Sequence, residues 1–178
     1  MGKNYPLGNN AHDFLPNSGK AIQFPRLFMA WIMQSNLINH FRMTKQITVT
    51  INDYNRLIGL LEFASLRSLI PDLAGKLYAN LITAKTLPQD KIGEGIITMN
   101  SRVFLKDINN QRETEVTLTY PHEAEPRDRK VSVLSEIGIA LIGRLEKDVV
   151  SWKVPGGVGL FEIVKVTYQP EAAGDYYL

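Results

Sequence analysis

Three histidines and one serine–glutamate step are the residues of this chain whose types could carry chemistry, and their spacing argues against it. His12, His40 and His122 lie far apart, with none of the short intervals that bring two imidazoles onto one metal. The chain has no cysteine, so thiolate nucleophiles, disulfides and cysteine-ligated zinc are excluded. His122 stands in Pro121-His122-Glu123 and reads as a solvated loop residue. Ser135 has no evident His or Lys partner to take its proton, so it reads as a helix cap rather than a nucleophile. No GxxxxGK[ST] loop and no GxGxxG turn is present. The glycines of "PGGVG", from Pro155, lie between two strand-like runs and serve turn geometry. These patterns predict no catalytic residue, no metal and no cofactor.

Charge and hydropathy narrow the function further. Hydrophobic residues make up 44% of the chain, charged residues 21%, and the net charge is +2. Residues 1–42 hold Lys3, Lys20, Arg26 and Arg42 against Asp13 alone, so the remainder is close to neutral. A strongly nucleic-acid-binding domain carries a clearer basic excess. The apolar run Leu27–Met33 is too short for a membrane span of roughly 20 residues, and no convincing small-residue cleavage site follows it. Residues 1–42 show little periodicity, and "MTKQITVTIND" reads like a chain start at Met43. The expected organisation is a poorly ordered or mis-assigned extension at 1–42, a helical hairpin at 43–90 and a second domain at 91–178.

Ile47, Val49 and Ile51 alternate as in a strand, and the period changes at Asn52 and Asp53, either of which can cap a helix. Tyr54, Leu57, Ile58 and Leu61 then share one helical face. Pro71 breaks that helix, and Asp72 can cap a second one bearing Leu73, Leu77, Leu81 and Ala84. "TLPQDKIGEG" reads as a linker. From there the pattern is β: "IITMNSRVFL" and "ETEVTLTY" flank the turn-rich "DINNQR", "VSVL" follows a polar loop, and "DVVSWKV" and "GLFEIVKVTYQ" flank "PGG". In "SVLSEIGIALIG", Ser135 and Glu136 open a helix that Gly143 can stop after about two turns. So short a helix does not stand alone and must be pinned to a sheet. The predicted class is α+β, a helical hairpin followed by a small antiparallel sheet with one short helix against it. Tyr176, Tyr177 and Leu178 leave an apolar end, which either packs on its own domain or serves a partner.

"TMNSRVFLKD", "TLTYPHEAE", "VSVLSEIGIALIGRLEKDVVSWKVPGG" and "VTYQPEAAGDYYL" together resemble the C-terminal domain of the Gre transcript-cleavage factors. The similarity is closer to their relatives of the Rnk type, the regulators of nucleoside diphosphate kinase. It runs from about Ile47 to Leu178, with "MNSRV" and "QPEAAGDY" its most specific elements. The resemblance implies an N-terminal antiparallel coiled coil and an FKBP-like C-terminal domain. It implies docking on RNA polymerase at the rim of the secondary channel, with the coiled coil pointing toward it. The docking pattern, commonly Ser-Pro followed by an apolar residue, falls on Ser135, Glu136 and Ile137, with Glu136 in place of the proline.

Gre factors carry adjacent acids at the coiled-coil tip, where they help hold a second magnesium ion. The corresponding tip here, near Ser68 and Asp72, offers Asp72 without an acidic neighbour. The resemblance therefore implies a non-enzymatic, cytoplasmic and monomeric regulator that binds RNA polymerase in competition with Gre factors. It also implies an effect on nucleoside diphosphate kinase levels, with no cofactor, no membrane association and no sequence-specific nucleic-acid binding. Two alternatives stand beside it. One is an active cleavage factor, and the other is a peptidyl-prolyl isomerase using an aromatic pocket around Trp152 and Phe161.

Overall fold

The computed structural model describes residues 46–63 and 69–177. The expectation for residues 1–42 and the tip position Ser68 lie outside the described residues. Strand β1, Thr48–Thr50, runs directly into helix α1, Ile51–Glu62. The cap is Thr50 rather than Asn52 or Asp53: its backbone is extended, and its Oγ1 accepts the Asp53 amide at 2.9 Å. Asn52 and Asp53 already lie inside the first turn. Leu57, Ile58 and Leu61 are buried along α1 as the periodicity predicts.

Helix α2, Pro71–Ile82, starts with Pro71 rather than being preceded by it as a breaker. Proline suits the first helical position because its missing amide would have no intrahelical partner there. Asp72 is thus a residue of the first turn and not the cap; the cap position is Ile70, which makes no side-chain capping bond. A carboxylate inside the turn still meets the positive end of the helix dipole. Ala74, Leu77, Tyr78 and Leu81 are buried on α2.

The expected linker contains a strand. Lys85–Leu87 forms β2 and pairs in parallel with β1. The Lys85 amide donates to Ile47 O at 2.9 Å, and Gln46 Nε2 donates to Thr83 O at 2.9 Å. These bonds set the start of α1 beside the end of α2, so the two helices leave from and return to one base. Each has 12 residues, hence a length of about 18 Å.

The second sheet holds β3 (Arg102–Asp107), β4 (Glu113–Thr119), β5 (Lys130–Ser132), β6 (Val149–Val154) and β7 (Gly157–Tyr168), in the order β5-β4-β3-β7-β6. Neighbours are antiparallel except β5, which runs parallel to β4 and so departs from the expected all-antiparallel sheet. The loop between them folds into short 3₁₀ turns at Pro121–Glu123 and Pro126–Asp128, which carry the chain back so that Lys130 opens β5 beside Thr117 of β4. The first strand begins at Arg102, later than "IITMNSRVFL" suggests, because Asn100 takes a left-handed backbone with φ of 62°. Val103, Leu105, Val116, Leu118, Val150 and Ile163 form the buried face.

Helix α3, Glu136–Leu141, packs against β5 and β6. Helix α4, Pro170–Ala173, follows β7. Trp152 and Phe161 stack face to face, with centroids 3.7 Å apart and planes 6° from parallel. They occupy each other's faces and leave no cleft between them for a prolyl ring. Tyr177 is 98% exposed, so this part of the apolar end does not pack on the domain.

Candidate docking site

Helix α3 is held by bonds and by close approach. Ser135, at its N-cap, donates its hydroxyl to Ser132 O at 2.6 Å and accepts the Gly138 amide at 3.1 Å. Both capacities of the hydroxyl are therefore structural. Gly138 lies so near β5 that a Cβ there would stand 2.1 Å from Ser132 O and 2.7 Å from Val133 Cα. Only glycine lets the helix seat directly on the strand end. Gly143 follows the helix with φ of +70°, and its carbonyl accepts the Thr48 amide at 3.0 Å. One residue thus ends α3 and joins β1 to the larger domain.

The three sequence-predicted docking residues are brought together here, each half-buried. Ser135 and Glu136 are less open than outward-facing residues at a helix start would be. Glu136 Oε1 accepts a bond from Lys76 Nζ of α2 at 2.7 Å, and each of these side chains is 32% exposed. Asn80, one turn further along α2, donates Nδ2 to Ile139 O at 3.5 Å. Ile137 keeps part of its surface because Ile139, Leu141 and Ile142 supply the buried face of this segment.

A second polar cluster, at the base of the hairpin, was not read from the sequence as a site. Asp53 is only 4% exposed, and its Oδ2 accepts the Met99 amide at 3.1 Å. Burial, together with the nearby Glu171 charge, pushes its carboxyl from the usual 3.8 up to about 6, against the Met99 and Thr50 hydrogen bonds and Arg56. Thr98 Oγ1 donates to Glu171 Oε2 at 2.6 Å and meets Ser101 Oγ at 3.0 Å. The two most specific sequence elements, "MNSRV" and "QPEAAGDY", therefore meet where α1 joins the domain. The signal for this cluster was the spacing Thr50-x-x-Asp53 before an apolar run, the pattern of a capping box.

Asp72 is exposed in the first turn of α2, and Phe63 and Leu69 flank the hairpin turn at 64% and 77% exposure. The described ends of the hairpin thus present Phe63 and Leu69 beside the exposed Glu62 and Asp72, with no two acids adjacent in sequence. Among the described residues no group of His, Asp and Glu is placed to hold a metal ion, and no helix is long and apolar enough to cross a membrane. His122 is exposed, its ring stacked on Tyr120 with centroids 6.2 Å apart.

Residues 92–168, which span β3 to β7 and α3, match the family described as transcription elongation factor, GreA/GreB, C-terminal. The regulator of nucleoside diphosphate kinase of Escherichia coli (strain K12) is 35% identical over 134 residues, covering 74% of this chain and 97% of that protein. The chain belongs to the Rnk family of Gre-related proteins. The Rnk match is long enough to take in both helices of the hairpin as well as the Gre-type domain. The transcription elongation factor GreA of Clostridioides difficile (strain 630) is 40% identical over 83 residues, 47% of this chain and 52% of that one. A solved transcription elongation factor GreA/GreB from Nitrosomonas europaea superposes with a TM-score of 0.60 at 33% identity, covering 70% of this chain and all of its own. The α+β architecture is thus shared with Gre-type proteins, with residues 92–168 as a Gre C-terminal-like fold.

Proposed function

We propose that this protein is a regulator of transcription, not an enzyme, that binds RNA polymerase near the secondary channel and competes there with Gre factors. The observation that carries the reading is a Gre-type domain at residues 92–168 joined to a hairpin whose described ends lack an acidic pair. The domain is the part that docks; the described ends of the hairpin lack the side-by-side acids that would hold a second catalytic metal ion. Ser135, Glu136 and Ile137 form the docking surface. A cap, a six-residue helix and a glycine-seated contact with β5 hold these side chains in one arrangement, which lowers the ordering cost of binding. The E. coli relative is named a regulator of nucleoside diphosphate kinase, and an effect on the levels of that enzyme is part of the proposal. The protein works as a cytoplasmic monomer.

The test is retention of the protein on immobilised core RNA polymerase, paired with a cleavage assay on backtracked complexes. Retention without stimulated cleavage is expected. Absence of retention overturns the docking reading, and robust cleavage overturns the non-enzymatic one.

A further inference from the structure

Helix α2 of the hairpin grips the docking helix along its length. Lys76 and Asn80 are four residues apart and so lie on one face of α2. Lys76 holds the carboxylate of Glu136 in the first turn of α3, and Asn80 reaches the carbonyl of Ile139. The other side of α3 is fixed to β5 through Gly138, where no side chain fits, and Gly143 ties its end to β1. The docking residues and the hairpin therefore share a joint with few independent degrees of freedom.

We infer that Lys76 is a positioning residue: by holding Glu136 it fixes the direction of the hairpin relative to the docking surface, so that docking also aims the hairpin. The inference rests on the docking role proposed for Ser135–Ile137. A shift of α2 breaks the ion pair and leaves the Glu136 carboxylate without its cation. A partner that draws Glu136 away from Lys76 releases α2 in turn. The two events are one equilibrium seen from two sites, and each must weaken or strengthen the other to the same degree. At 2.7 Å and 32% exposure on each side, the pair is shielded more than a surface ion pair, yet accessible to a partner.

The full chain lacks cysteine, so spin labels can be placed at Leu69→Cys near the hairpin turn and Val158→Cys on β7, both at exposed positions. Distances are measured in the free protein for the unchanged pair, for Lys76→Glu, for Glu136→Lys and for the double reversal Lys76→Glu/Glu136→Lys. The same variants without labels are titrated against core RNA polymerase carrying a fluorescent Gre factor. Each single reversal sets like charges together and is expected to broaden the label distances and weaken displacement roughly fivefold or more; the double reversal is expected to restore the distances, while displacement stays weakened because the docking carboxylate at position 136 is replaced. Circular dichroism confirms that each variant is folded; Lys76→Met replaces any single reversal that is not, with the same expectation. Unchanged distances in the folded single variants overturn the positioning role. Altered distances with unchanged displacement overturn the coupling. Distances that stay broadened in the folded double reversal overturn the positioning role as well. If the unchanged protein never displaces the Gre factor, the docking reading fails, and the label distances still decide whether Lys76 sets the hairpin.

Discussion

The carboxylate of Asp53 accepts the amide of Met99 at 3.1 Å at a point where almost no water reaches it. That bond joins the first turn of α1 to the chain just before β3, and the same pocket holds Glu171 nearby. The arrangement favours a protonated Asp53, with its carboxyl raised from 3.8 to about 6. The native state therefore binds this proton more tightly than the unfolded chain does.

The consequence for stability has a definite sign. Below about pH 4 both states are protonated, and Asp53 causes no loss. As pH rises from about 4 to about 6 the unfolded state ionises first, and stability falls by an amount on the order of 3 kcal/mol that stays lost at neutral pH. Asp53→Asn keeps an acceptor for Met99 and removes the charge. It is expected to stabilise the protein at pH 7 by about 1–3 kcal/mol and to flatten this part of the pH profile. Urea unfolding at a series of pH values measures both effects; an unchanged profile contradicts them.

Gly138→Ala puts a methyl group 2.1 Å from the Ser132 carbonyl, against backbone that cannot swing aside. The expected loss is about 2–3 kcal/mol, at the upper end for overpacked positions. Denaturant midpoints compare it with Gly59→Ala, a helical position whose Cβ meets nothing within 4 Å. That control is expected to be neutral or mildly stabilising.

Asp72→Ala is expected to cost roughly 0.3–1 kcal/mol, the scale of a first-turn dipole interaction rather than a full cap. It leaves transcript cleavage at the level of polymerase alone, as with the unchanged protein. Cleavage that depends on Asp72 would make this residue a metal ligand instead.

A chain beginning at Met43 is expected to keep its melting temperature within about 2 °C, less than a loss of 1 kcal/mol produces. Its displacement of Gre factors is expected to match that of the full chain. Loss of either property assigns residues 1–42 to the functional protein.

Periodicity sufficed for the two hairpin helices, the β3–β4 hairpin and the β6–β7 turn, since each is set by local pattern: Leu57, Ile58 and Leu61 on one face, Pro155 and Gly156 between two strands. Strand β2 was hidden because Lys85–Leu87 is short, largely exposed and defined only by its distant partner β1. The parallel course of β5 depends on how the loop at Pro121–Asp128 folds, which composition does not encode. Asp53 and Glu171 lie 118 positions apart and become neighbours only through the tertiary fold. The segment proposed to dock was legible as a capped short helix around Ser135 and Gly143, while the pairing of Glu136 with Lys76 was not.

The most direct measurement is displacement of a fluorescent Gre factor from core RNA polymerase by the full protein, with Glu136→Lys beside it. Saturable displacement by the unchanged protein is expected, with a modest dependence on salt and weaker displacement by the folded variant. Failure of the unchanged protein to displace the Gre factor at any concentration would contradict the shared site. Equal displacement by folded Glu136→Lys would show that the surface at Ser135–Ile137 is not the dock.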